Sequence, residues 1–261
     1  MANTTHTELV NVFYNTHPIS ESQVLDKLAQ TGADPSTLTV ELLQHHDQDH
    51  FGGLAATDAL AHHGKINELT HVLDLCCGLG GPARYFAYHY GCRVTGVDMN
   101  TDRLAGAVRL TKRTKLQDRV QFHHANALKT GLADETFDVI VSQEAFCHIP
   151  NKKTLIAECI RLLKPGGRIV YTDILTRNTM TPEIRSRLES EMAFSELSTL
   201  EQYCDLLEQN SCQVVEVEDL SNDWAQILIE RLAMYRSLKE QTISSFGLEH
   251  FEKWDSTYSF F

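Results

Sequence analysis

The stretch V-L-D-L-C-C-G-L-G-G-P-A-R-Y-F-A, from Val72 to Ala87, decides the fold. It opens with an apolar strand, Val72-Leu73-Asp74-Leu75, that carries one acid. A glycine turn follows, Gly78-Leu79-Gly80-Gly81, and Pro82 then begins a helix with Ala83, Phe86, Ala87 and Tyr90 along one face. Proline suits a first helical position because its missing N–H would be unpaired there in any case. Strand, glycine turn and helix N-terminus together present unpaired backbone N–H groups, a setting that favours an anion. Gly78-x-Gly80-x-x-Ala83 also fits the relaxed dinucleotide pattern, with Asp98 following at the distance of a ribose-binding acid.

Outward from this stretch, strands and helices alternate. Strands are expected at Arg93–Val97, Val120–His123, Val139–Ser142 and Arg168–Ile174. Helices are expected near 101–115 and from Asn151, where Leu155, Ile156, Cys159, Ile160 and Leu163 recur at helical spacing. That alternation predicts a parallel sheet. Two features argue against a nicotinamide cofactor: the acid inside the first strand, and the downstream runs Phe137-Asp138-Val139-Ile140 and Leu163-Lys164-Pro165-Gly166-Gly167. The ordered set, covering roughly residues 70–175, resembles the class I S-adenosylmethionine (SAM) methyltransferases.

The resemblance implies an α/β, Rossmann-like, doubly wound, mostly parallel seven-stranded sheet behind an N-terminal helical cap. The cap is expected at residues 1–63 and the core at 64–261, with an inserted helical segment around 177–197. Pro35 and Ser36 are read as a break inside the cap. Val214–Val217 reads as a strand. Only Trp254–Phe261 remains for the last antiparallel strand, with Tyr258-Ser259-Phe260-Phe261 as its start or the strand truncated.

The resemblance also assigns a cofactor site for SAM, with S-adenosylhomocysteine as product. Gly78 and Gly80 would meet the cofactor's carboxylate, Asp74 its ammonium, and Asp98 its ribose hydroxyls. Met99 would pack beside the adenine, and Asn126-Ala127 follow the third strand where the family usually has an acid facing the adenine amine. Gln143 would line the cofactor and acceptor. The run S-Q-E-A-F-C-H-I-P, Ser142 to Pro150, resembles the S-Q-D/E-x-x-x-H stretch of the sarcosine/dimethylglycine methyltransferases, which makes Glu144 and His148 candidates for the catalytic site.

The run from His45 to Gly53, H-H-D-Q-D-H-F-G-G, is dense in side chains that donate, accept or ligate. The preferred reading is a lid with Gln48 and His50 toward the substrate. A polar connector is the bland alternative. His46 and His50 are four apart, but the spacing matches no established metal motif and Gly52-Gly53 breaks the helix, so no metal is assigned. Arg177, Arg185 or Arg187 is a candidate anchor for an acceptor's carboxylate, against a solvated helix face. Tyr14, Phe51, Phe146, Phe194 and Tyr203 are either pocket walls or plain core.

Composition narrows the partners. A net charge of −12 over 261 residues argues against non-specific nucleic-acid binding, which needs basic surface. Seven cysteines, an odd number with no C-x-x-C pair, read as reduced thiols. The Met1–Glu8 region is polar, with no apolar leader, so the protein is expected to be cytoplasmic, away from membranes, and a monomer or homodimer. The functional expectation is methyl transfer to a small-molecule acceptor, an amine of the sarcosine/dimethylglycine kind. The alternatives are an O- or C-methyltransferase of secondary metabolism and a SAM-binding regulatory or partner protein without turnover.

Overall fold

The computed structural model describes residues 6–16, 19–32, 34, 37–177 and 180–260; Pro35, Ser36 and Phe261 lie outside them. The chain divides after Gln213 into two compact units.

In the first unit five strands pair in parallel: β1 (His71–Leu75), β2 (Arg93–Asp98), β3 (Val120–His124), β4 (Phe137–Gln143) and β5 (Leu163–Thr172). Their order is β3-β2-β1-β4-β5. Among the described residues four α-helices precede the sheet: α1 (His6–Thr16), α2 (Glu21–Gln30), α3 (Val40–Leu43) and α4 (Gly53–Gly64). The crossovers use α5 (Gly81–His89), α6 (Thr101–Arg113) and α7 (Lys152–Leu162), and α8 (Pro182–Met192) and α9 (Leu200–Gln209) follow the sheet.

Strand alternation sorts β1 between two cores. Leu73 and Leu75 pack with Phe137, Ile140, Leu155, Ile156 and Cys159 on one side. Val72 packs with Leu60, Ala61, Ala83, Phe86, Val94 and Val139 on the other. Both faces are covered, so these strands read as nearly continuous apolar runs. Strand order reverses between β1 and β4. In a doubly wound sheet the ligand crevice lies at such a switch point, outside the carboxyl ends of the strands. The ends of β1, β2 and β4, at Leu75, Asp98 and Gln143, therefore frame the site.

The described residues contain five strands rather than seven. Val214–Val217, expected as a strand, forms no ladder, and Val215 and Val217 are 71% and 53% exposed. The expected final strand is helical. Tyr258–Phe260 end α12 (Leu248–Phe260), where buried Phe251, Trp254 and Thr257 recur every three residues, a helical and not an alternating period. The second unit holds α12 after α10 (Ser221–Ser237) and α11 (Lys239–Phe246). Within it the rings of Tyr235 and Phe251 stack at 5.1 Å and Arg236 pairs with Asp255 at 2.6 Å. A capping box between Thr199 and Gln202 closes the start of α9.

Candidate active site

The turn between β1 and α5 is shaped by left-handed residues: Cys76 (φ 66°), Gly78 (φ 52°) and Gly80 (φ 73°). A side chain at Gly80 would meet the Phe122 ring at 2.6 Å, so glycine is required there. Asp98 braces the turn from the end of β2. Its Oδ2 accepts from the Gly78 N–H at 2.8 Å and its Oδ1 from the Asn100 N–H at 2.8 Å. Each oxygen keeps a lone pair for a ligand's hydroxyls.

Asp74 is 4% exposed, and its Oδ2 is buried with no partner. Burial, reinforced by the charge of Asp98, raises its carboxyl to about 7, although the Ala83 N–H and Arg84 oppose this. An unsatisfied carboxylate oxygen beside a glycine turn fits a cationic ligand group. Met99 is half-buried at the mouth, its carbonyl held by His124 Nε2 at 2.9 Å. Ala127 is buried, and exposed Asn126 spends one Oδ1 lone pair on the Leu128 N–H at 2.9 Å. The Cys76 and Cys77 thiols are pushed up by burial and by the nearby aspartates, which keeps them protonated.

The His45–Gly53 run lies directly over the turn. A Cβ on Gly81 would run into the Asp47 carbonyl. Asp47 pairs with Arg84 at 2.8 Å, the two side chains 3% and 1% exposed. Asp49 pairs with Arg103, whose guanidinium also donates to the Ile19 carbonyl and lies 5.0 Å from the Tyr14 ring centroid.

The three catalytic candidates fall into two hydrogen-bonded groups. His50 is buried with Gln48, Thr57 and Gln143, each at 3.0 Å from a ring nitrogen. Glu144 stands beside it in a left-handed conformation (φ 45°), with Oε2 accepting from the Phe51 N–H and Oε1 from the Thr172 hydroxyl, both at 2.6 Å. These bonds tie the loop to the ends of β4 and β5. His148, 8% exposed, belongs to the other group. Its Nε2 is 3.0 Å from the Tyr14 hydroxyl and its Nδ1 3.4 Å from the Ala193 carbonyl. A carbonyl only accepts, so the hydrogen sits on Nδ1 and Tyr14 donates to Nε2. Burial, with Cys147 and Asp49 adding to it, holds the Tyr14 phenol well above its usual range, so it is a neutral O–H. Phe13 and Phe194 flank the His148 ring at 5.7 and 4.9 Å.

Behind His148, Asp173 fixes the short 3-10 turn Phe146–His148 by accepting from the Cys147 N–H at 2.8 Å and the Tyr203 hydroxyl at 2.7 Å. Tyr203→Phe removes the side-chain donor from this buried carboxyl and is expected to cost about 1–3 kcal/mol of stability, read by thermal melting. No change in melting would mean that another group takes the hydroxyl's place.

Sequence reading did not find the tie between Tyr14 and His148, which are 134 residues apart. Arg103 carried a usable signal, since a cation in the first turn of a helix opposes the dipole and needs another reason to be there. Arg177 and Arg185 line an open groove of about 490 Å³ with Thr176, Glu196, Thr199 and Gln202. Arg187 instead pairs with Glu191 at 2.6 Å. Among the described residues no cluster of metal ligands forms, and no helix is long and apolar enough to cross a membrane.

Residues 73–171 match the family model of the methyltransferase domain. A methyltransferase of Penicillium fellutanum is 32% identical over 195 residues, 72% of this chain and 60% of that protein. Phosphoethanolamine N-methyltransferase 3 of Arabidopsis thaliana is 29% identical over 201 residues, 77% of this chain and 40% of that one. The chain thus spans about half the length of the curated relatives it matches. Among solved structures, Haemonchus contortus phosphoethanolamine N-methyltransferase 2, in complex with S-adenosyl-L-methionine, superposes with a TM-score of 0.71 at 25% identity. That match covers 80% of this chain and 48% of the nematode protein. Residues 73–171 therefore belong to the methyltransferase-domain family, set in the fold of the class I, SAM-dependent methyltransferases.

Proposed function

We propose that this protein transfers a methyl group from SAM to a small-molecule amine. The observation that carries the reading is the Tyr14–His148 pair, a neutral phenol donating to a histidine at the catalytic end of the sheet. Relatives named as amine methyltransferases support the acceptor class.

SAM supplies a methyl group already activated by the sulfonium. The chain's task is to align an acceptor and free its lone pair. Orientation alone contributes roughly 7–11 kcal/mol in favourable cases. An amine reacts only when neutral. The Tyr14 oxygen can take a proton from the bound ammonium as its own passes to His148 Nε2, with the Ala193 carbonyl facing Nδ1 and Asp173 fixing the 3-10 turn that carries the histidine. Asp98 would hold the ribose, Asp74 the ammonium, and the N–H groups at Gly78 and Gly80 the carboxylate. Met99, Asn126 and Ala127 would border the adenine. Gln143, Glu144 and His50 act by positioning the loop over the turn.

Titration with S-adenosylhomocysteine tests the cofactor half of the reading. Below about 7 the free Asp74 carboxyl is protonated, and a bound ammonium favours its ionised form. Affinity is therefore expected to fall up to about tenfold per unit as pH drops below about 7 and to level off above it. Asp74→Asn should flatten the slope, and a slope unchanged in that variant would remove Asp74 from the site. The sign for the free protein is opposite. The unfolded chain ionises first, near 3.8, so stability declines as pH rises from there through about 7.

A further inference from the structure

Of the eleven residues of α1, the helix that carries Tyr14, only Val10 is buried. Helices are placed mainly by packing an apolar face, so this one depends on the polar contacts of its C-terminal end. Two residues at the start of α6 supply such contacts. Asn100, the N-cap of α6, is 5% exposed. Its Oδ1 accepts from the Asp102 and Arg103 N–H groups at 3.1 and 3.0 Å, and its Nδ2 donates to Asn15 Oδ1 at 2.9 Å. Its own N–H goes to Asp98 Oδ1 at 2.8 Å. Arg103 donates from Nη1 to the Ile19 carbonyl at 3.1 Å and pairs with Asp49 through Nη2. Its guanidinium carbon lies 5.0 Å from the Tyr14 ring centroid. The same guanidinium rests on the glycine turn, where a Cβ on Gly78 would stand 3.1 Å from Nη2 and 3.3 Å from Nε.

We infer that Asn100 and Arg103 are positioning residues for methyl transfer, which hold Tyr14 in line with His148 by docking the end of α1 on the cofactor turn. The inference rests on the Tyr14–His148 relay proposed above and adds the residues that align it. Side-chain chemistry explains why these two types stand here. An aspartate would cap α6 as well as Asn100 does, but it offers no donor to Asn15. A guanidinium has a plane that lies against both Gly78 and the Tyr14 ring while its edge donates to Ile19 and Asp49, and a lysine ammonium has no such plane. Burial raises the Tyr14 phenol and the Arg103 charge opposes that rise, which eases the passage of its proton to His148. The contacts therefore run from Asp98 and Gly78, through the first turn of α6, to the oxygen of the relay.

The test measures kcat as methyl label passed from SAM to a mixture of sarcosine, ethanolamine and phosphoethanolamine by the whole chain. Asn15→Ala, at an exposed position, is expected to lower kcat about tenfold, and Arg103→Met about 10–100-fold. Arg103→Lys keeps the charge without the plane and should fall between Arg103→Met and the wild type. S-adenosylhomocysteine affinity in Asn15→Ala should stay within about twofold of the wild type, which also reports folding. In a Tyr14→Phe background the oxygen being aligned is gone, so Asn15→Ala and Arg103→Met should each cost less than about twofold more. Residues that only support the fold would cost the same in both backgrounds. Equal losses in the two backgrounds, or an unchanged kcat in either single variant, would overturn this inference alone. Full turnover by Tyr14→Phe would overturn the relay beneath it, and a wild-type protein that labels none of the amines would overturn the N-methyltransferase reading.

Discussion

Exchange of His148 for alanine is expected to lower kcat about 10²–10⁴-fold while S-adenosylhomocysteine still binds. The Tyr14 hydroxyl then has no imidazole to receive its proton, because Nε2 at 3.0 Å is the partner it loses. Burial already resists ionisation of this phenol, so without His148 it is a poor base. Tyr14→Phe keeps the ring against Arg103 and His148 and removes only the oxygen, so it should lower kcat in the same direction with little effect on cofactor affinity. The two losses should not add, since both residues serve one relay. Additive losses in the double variant would mean that the residues act separately. Stopped-flow or steady-state transfer assays give the rates, and calorimetry gives the cofactor affinity.

Asp47→Ala is expected to destabilise the fold by about 3–5 kcal/mol, because it strands a buried guanidinium. Arg84 is 1% exposed. Among the described residues it reaches, beyond Asp47, only the Thr111 hydroxyl at 3.0 Å and the Ala107 carbonyl at 3.4 Å, and its Nε is already unpaired. At about 2–4 °C per kcal/mol for a chain of this size, the melting temperature should drop by roughly 6–20 °C. Adding Arg84→Leu should restore much of the loss, as removing both charges relieves the desolvation that removing one exposes. The same variant should weaken cofactor binding, because Asp47 seats the loop carrying Gln48 and His50 on the Gly81 end of α5. A melting temperature within a degree of the wild type would show that water reaches Arg84.

The parts of the molecule that are local in sequence were the ones that could be read from it. The run 72–87 contains its own strand, turn and helix start, and Gly78 and Gly80 take the left-handed geometry their residue type allows. Asp98 ends β2, next to the last residue expected in that strand, and its carboxylate accepts from the Gly78 N–H of the turn. What escaped depends on pairings across the chain. His148 was visible as a titratable group after β4, but its partner Tyr14 comes from α1, where an aromatic residue looks like any core residue. Asp47 and Asp49 looked like part of a polar lid. Their arginines, Arg84 and Arg103, stand on helices whose apolar faces dominate the pattern. The end of the chain misled because aromatic residues suit strands and helices alike, and Phe251, Trp254 and Thr257 reveal the period only once their burial is known.

The most direct test of the account incubates the purified protein with methyl-labelled SAM and a pool of amines, phenols and quinols, following the label by mass spectrometry. The account predicts label on an amine nitrogen, lost in His148→Ala while S-adenosylhomocysteine still binds that variant, and lost in Asp98→Ala together with cofactor binding. Cofactor binding with no labelled acceptor of any class, in a pool spanning amino alcohols, amino acids and phenols, would contradict it and identify a SAM-binding protein without turnover of its own.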